Sequence, residues 1–253
     1  LPALLYFVIF CYGPMYGVQI AFKDFIANKG IWGSPWVGLK HLRNFFQTYS
    51  SRRVIWNTLS LSLYSLIAGF PMPILLALML NEVKNNYFKK LVQNVTYAPH
   101  FISTVVMVGI IQLFFSPTGI VNQLGKLIGI EPTMFLGKDY LFRHLYVWTG
   151  VWQGMGWGSI IYLAALSGID PQLSEAAIVD GASRFQRILH INIPGILPTI
   201  IIMLILNVGG IMSVGFEKAF LMQNSLNLKY SEIISTYVYK TGLINANYSF
   251  SAA

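Results

Sequence analysis

Charge disappears from this chain in long stretches and returns in short ones, and the alternation predicts its elements. Leu1 to Phe22 holds no Asp, Glu, Lys or Arg, nor does Val54 to Asn81; Leu91 to Gly125 is interrupted only by His100; Leu145 to Ile169 and Ile196 to Phe216 are again uncharged. A helix needs about 20 mostly apolar residues to cross the hydrocarbon of a bilayer. Five spans are therefore predicted, near 1–22, 54–81, 93–115, 145–169 and 196–216. The turn formers Ser116-Pro117-Thr118-Gly119 end the third. Gly69, Pro71 and Pro73 predict a kink in the second. In the fourth, Gly150, Gly154 and Gly158 recur at every fourth position, a smooth strip suited to close helix packing.

Between the spans the character changes. Lys23 to Arg53 predicts a folded loop outside the membrane, with Gly33-Ser34-Pro35 as a turn and Trp32, Trp36 and, just beyond it, Trp56 placed for the lipid interface. Glu217 to Ala253 is mixed and polar, carries Tyr237, Tyr239, Tyr248 and Phe250, and contains no further complete span. The segment 170–195 is a polar insert that still forms helix. Asp170 is suited to cap a helix whose first residue is Pro171, which has no amide hydrogen to leave unpaired. Gly181 lacks a side chain where a partner would approach or the helix would turn. Ile178, Ala182, Phe185 and Leu189 then recur at helical spacing, with Arg184, Gln186 and Arg187 mostly off that stripe.

Glu175-Ala176-Ala177, Gly181 and, after nine intervening residues, Ile191-Asn192-Ile193-Pro194 together form a stretch that resembles the cytoplasmic signature loop of the permease subunits of binding-protein-dependent ABC importers, with Ile193 where leucine is usual. Gly13-Pro14-Met15-Tyr16-Gly17, Ala21-Phe22-Lys23-Asp24, Asn81-Glu82-Val83, Pro99-His100-Phe101-Ile102-Ser103 and Trp157 to Leu166 extend the resemblance, on the carbohydrate-uptake, maltose-permease-like branch, over essentially the whole chain. The resemblance implies an all-α fold, a polytopic transmembrane helical bundle of the type I ABC importer permease class, as one domain with a cytoplasmic coupling loop at 170–195. It implies a bacterial cytoplasmic-membrane location and an alternating-access mechanism. The implied partners are a second homologous permease, two ABC ATPase subunits that bind the ATP and Mg, and an extracytoplasmic sugar-binding protein; the chain itself would be no enzyme and hold no cofactor. Glu175, Ala176, Ala177, Asp180, Gly181 and Arg184 are the expected ATPase-coupling residues. Family members have six or more spans, so a sixth is expected beyond Ala253, and the chain reads as trimmed at both ends.

Composition agrees with a membrane protein. Hydrophobic residues make up 55% and charged residues 10%, against roughly 25% charged in soluble domains. Cys11 has no partner, and His41, His100, His144 and His190 are scattered without ligand spacing, which argues against disulfide and metal chemistry. Gly119 to Lys126 has the wrong glycine spacing and ends on Leu127 where a phosphate loop needs Ser or Thr. The five spans contain no Asp, Glu, Lys or Arg, which disfavours an ion-coupled secondary transporter, the alternative along with a membrane-embedded glycan or lipid enzyme. Neutral amides and aromatic faces suit sugars, so Trp152, Gln153, Trp157, Tyr162 and Asn207 are candidate substrate-pathway residues, with interhelical hydrogen bonding and packing as the competing explanation.

The charge balance is +8. With the signature loop inside, Lys84, Lys89, Lys90, Arg184 and Arg187 are the basic residues of the inner loops and the other twelve lie outside, the reverse of the usual bias, so orientation rests on the resemblance. Lys23, Lys29, Lys40, Arg43, Arg52 and Arg53 face only Asp24 around the first outer loop. Such a surplus draws anions: an acidic substrate such as a uronic-acid oligosaccharide, lipid headgroups, or an acidic binding protein.

Overall fold

The computed structural model describes residues 1–211 and 214–253. The main helices are α1 (Pro2–Phe22), α2 (Lys40–Gln47), α3 (Tyr49–Gly69), α4 (Pro71–Asn81), α5 (Asn86–Tyr97), α6 (Thr104–Phe114), α7 (Ile120–Leu127), α8 (Asp139–Ser167), α9 (Pro171–Val179), α10 (Arg184–Gly209) and α11 (Phe216–Met222). No strand occurs among the described residues; Lys23 and Trp36 form an isolated antiparallel bridge. The chain clusters into two compact units, one of Leu1–Thr58 with Glu232–Ala253 and the other of Leu59–Ser231.

Among the described residues three helical stretches are both long and apolar enough to cross a membrane: Pro2–Phe22, Tyr49–Asn81, which runs through α3 and α4 with a break at Phe70, and Arg184–Gly209. The stretch 93–115 is not one straight rod. Asn86–Phe101 and Thr104–Phe114 meet at 103°. Ala98–Phe101 tightens to a 3₁₀ turn around Pro99, Ile102 is extended, and Ser103 starts α6 by accepting the Val106 amide on its hydroxyl at 3.4 Å. A break at membrane depth exposes backbone groups that need partners; the Gln153 amide donates to the Ile102 carbonyl at 2.9 Å. The 29 residues of α8 rise 1.5 Å each and so suffice to cross a bilayer, but its tryptophans, tyrosines, glycines and Gln153 hold its hydropathy below that of the other three.

Two proline-containing helices widen just before the proline. Val8–Tyr12 is a π turn ahead of Pro14, and Ile188–Asn192 is another ahead of Pro194. A proline ring collides with the carbonyl four residues earlier and offers no amide to it; the wider turn relieves both demands without ending the helix.

In the unit of Leu1–Thr58 with Glu232–Ala253, aromatic rings join the two chain segments. Phe45 lies 6.2 Å from both Tyr237 and Phe250, and Phe25 meets Tyr248 edge-on at 5.9 Å. The Phe25 amide donates to the Ser249 hydroxyl at 2.7 Å. Glu232, its side chain 9% exposed, accepts from Arg53 at 2.8 Å and faces Lys240 at 3.7 Å.

In the Leu59–Ser231 unit, α4, α8 and α10 enclose a core of Ala77, Leu78, Tyr162, Leu166 and Ile196, with Ile74, Ile188, Ile193 and Met203 packed around it. In the predicted glycine strip Gly158 meets another helix: a Cβ there would stand 3.1 Å from Pro73 of α4. Gly154 faces open space, and Gly150 faces the Lys218 ammonium. The glycine that close packing does require is Gly156, where a Cβ would strike the Thr96 carbonyl of α5. The strip lay on one face as expected, but the tightest crossing falls on another.

Candidate functional site

The six coupling candidates fall on one helix–turn–helix. The Asp170 carboxylate accepts the Gln172 amide at 2.9 Å and Pro171 opens α9, as their sequence predicts. The helix ends through Gly181, whose φ of +80° is left-handed. The Gly181 amide donates to the Ile178 carbonyl at 3.1 Å and the Ala182 amide to Ala177 at 2.9 Å, the paired bonds of a glycine-terminated helix end. Two residues later Ser183 restarts the chain: its hydroxyl accepts the Gln186 amide at 3.3 Å while the Gln186 side chain accepts the Ser183 amide at 2.7 Å. That reciprocal cap satisfies two donors which would otherwise face water.

Glu175, Ala176, Asp180, Gly181 and Arg184 are exposed and Ala177 is half-buried. Beside them Val179 is 88% and Phe185 72% exposed, and Ile178 is also uncovered. These apolar residues of the helix–turn–helix are left unpacked. A residue absent from the six fastens the loop: Arg187 donates to the Ser174 hydroxyl at 2.9 Å and to the Glu82 carboxylate, at the end of α4, at 3.4 Å. Sequence spacing put Arg187 off the apolar stripe; its partners, 13 and 105 residues away, left no local trace.

The second feature is a cavity of about 520 Å³ framed by α3, α4, α8, α10 and α11. Gln153, Tyr162 and Asn207 line it, together with Ser62, Ser65 and Lys218. The other two pathway candidates lie elsewhere. Trp152, about 100° around the helix from Gln153, borders a separate apolar groove with Met107 and Trp148. Trp157 is stacked on His100, ring centres 4.6 Å apart and planes 1° from parallel, and meets Phe101 edge-on. Helix rotation turns both indoles away from this cavity. Asn207 also returns a bond to its own helix, Nδ2 to the Met203 carbonyl at 2.7 Å.

Lys218 was not among the candidates. It lies two residues past the fifth predicted span, yet α11 returns it to the cavity, where it is 9% exposed. Its ammonium donates to the Tyr146 carbonyl at 2.9 Å and lies 4.9 Å from the centre of the Tyr146 ring. Among the described residues no carboxylate lies within ion-pair distance of it. The basic surplus of the first loop, by contrast, is partly spent inside the fold. Lys23 donates to the Ile31 carbonyl, Lys40 pairs with Asp24 and Arg53 with Glu232, while Lys29, Arg43 and Arg52 stay exposed.

Known proteins share this architecture. The polygalacturonan/rhamnogalacturonan transport system permease protein YteP of Bacillus subtilis (strain 168) is 44% identical over all of this chain and 79% of its own length. The crystal structure of a bacterial ABC transporter involved in the import of the acidic polysaccharide alginate superposes with a TM-score of 0.93 at 43% identity, covering all of this chain and 85% of that one. A bacterial alginate ABC transporter in complex with an alginate pentasaccharide-bound periplasmic protein gives 0.91 at 42%, covering 99% of this chain and 84% of that one. Residues 50–253 match the family described as the binding-protein-dependent transport system inner membrane component. With the apolar helices, the exposed helix–turn–helix and the interhelical cavity, these matches establish that the chain is a bacterial inner-membrane permease subunit of the binding-protein-dependent transport system family.

Proposed function

We propose that this chain is one of two permease subunits of an ATP-driven importer for an acidic oligosaccharide delivered by an extracytoplasmic binding protein. ATP and Mg are bound and hydrolysed in two partner ATPase subunits, and no cofactor resides in this chain. The helix–turn–helix carries the reading: its apolar residues Ile178, Val179 and Phe185 are uncovered beside Glu175 and Gly181, while Arg187 holds its base to Ser174 and Glu82. An uncovered apolar stripe on a clamped element suits a partner protein better than water. ATP-driven closure of the ATPases moves α9, and α10, which begins only three residues after Gly181, passes the motion to the cavity wall. The acidic class of sugar is supported by the substrates named for the relatives at 42–44% identity.

The test is uptake of a radiolabelled uronic-acid trisaccharide into vesicles containing the complete importer. Uptake that stops when either ATP or the binding protein is omitted is expected. Uptake that persists without ATP and follows an ion gradient would instead support a secondary transporter.

A further inference from the structure

Among the described residues Lys218 is the charged group that lines the cavity, and none of those lining it is Asp or Glu. A buried ammonium without an opposite charge is expensive, and an ammonium carries three donors. One is given to the Tyr146 carbonyl, and the Tyr146 ring face attracts the charge from one side. Fastening α11 to α8 needs only a neutral donor, so the positive charge is unexplained by that contact. Gly150 keeps the ammonium's place open, since a Cβ there would come within 3.3 Å of Nζ. Around it the cavity is lined by neutral polar residues, Ser65, Gln153 and Asn207. Its 520 Å³ lies within the range of small-molecule sites.

We propose that Lys218 binds a carboxylate of the transported oligosaccharide inside the membrane cavity, while Ser65, Gln153 and Asn207 bind sugar hydroxyls. An arriving carboxylate completes the hydrogen bonding of an ammonium that the protein otherwise shields from water, and so the cavity favours uronic-acid units over their neutral counterparts. This rests on the reading of the chain as an oligosaccharide permease. It places acid recognition in the cavity in addition to any attraction at the outer loop.

The experiment uses vesicles holding the whole importer, a saturating concentration of binding protein, and two probes: trigalacturonate and the same trisaccharide with its carboxyl groups reduced to alcohols. Lys218→Gln should lower trigalacturonate uptake about ten- to a hundredfold, the loss of a charge-assisted hydrogen bond, and leave uptake of the reduced trisaccharide within about twofold. Lys218→Arg, which keeps the charge, should retain most uptake of both. Equal loss of both probes in Lys218→Gln, or undiminished trigalacturonate uptake, would overturn the assignment while leaving the permease reading intact. Failure of the wild-type importer to take up either probe would overturn the acidic-oligosaccharide reading and this inference with it.

Discussion

Gly181 combines two demands that a single substitution confounds. Its φ of +80° penalises any side chain except those tolerant of the left-handed region, yet a Cβ there would meet nothing within 4 Å of its own chain. Gly181→Leu adds backbone strain of about 1–2 kcal/mol as well as bulk. Asn visits this region with a smaller penalty, so Gly181→Asn mainly adds bulk. Both variants are expected to retain folded spans and lose coupling, read as ATP hydrolysis that proceeds without uptake. Normal uptake by Gly181→Asn would show that the glycine serves only the turn. Glu175→Ala should weaken co-purification of the ATPases without lowering the melting temperature, because Glu175 is exposed. Arg187 belongs to the other category. Arg187→Met removes bonds to Ser174 and Glu82 worth about 2 kcal/mol, and hydrogen exchange should speed up in α9 ahead of the rest of the chain.

Among the elements, α8 sets the geometry of its unit because its faces serve different neighbours. Gly156 admits α5, Gly158 admits α4, and Gly150 and Gly154 border the cavity. Gly156→Ala should cost about 1–3 kcal/mol through overpacking against Thr96, whereas Gly154→Ala should leave thermal stability unchanged. A similar melting temperature for the two variants would refute this division of faces. The bend after Phe101 is the second feature at this scale. Pro99 and the Ser103 cap favour it locally, and the Gln153 bond to Ile102 supplies the freed carbonyl with a partner. Gln153 therefore supports the bend and lines the cavity at once.

At the scale of the molecule, the basic loop residues divide into structural and available charges. Arg53→Ala should destabilise its unit by about 1–2 kcal/mol, less than a fully buried pair because Arg53 is partly exposed and Lys240 remains beside Glu232. Neutralising Arg43 and Arg52 together should leave stability alone and raise the apparent Michaelis constant for trigalacturonate at low ionic strength, an effect that fades as salt screens it. An unchanged constant at low salt would remove these arginines from substrate capture. Sequence alone sets the apolar runs, the Asp170–Pro171 start of α9 and the signature spacing, because caps and hydropathy depend on residues within a few positions of one another; at Gly181 it allows a turn or a close approach, and the φ of +80° shows the turn. It placed α8 and the cavity amides Gln153 and Asn207 in spans, but not the facing of Trp152 and Trp157, which depends on how a helix is rotated against its neighbours. Three-dimensional packing was needed to show that Gly156 is the tight crossing, that Arg187 ties the helix–turn–helix to Glu82, and that Lys218, outside every predicted span, returns to the cavity. Each of these joins positions far apart in the chain, where periodicity and local propensity carry no information about distance.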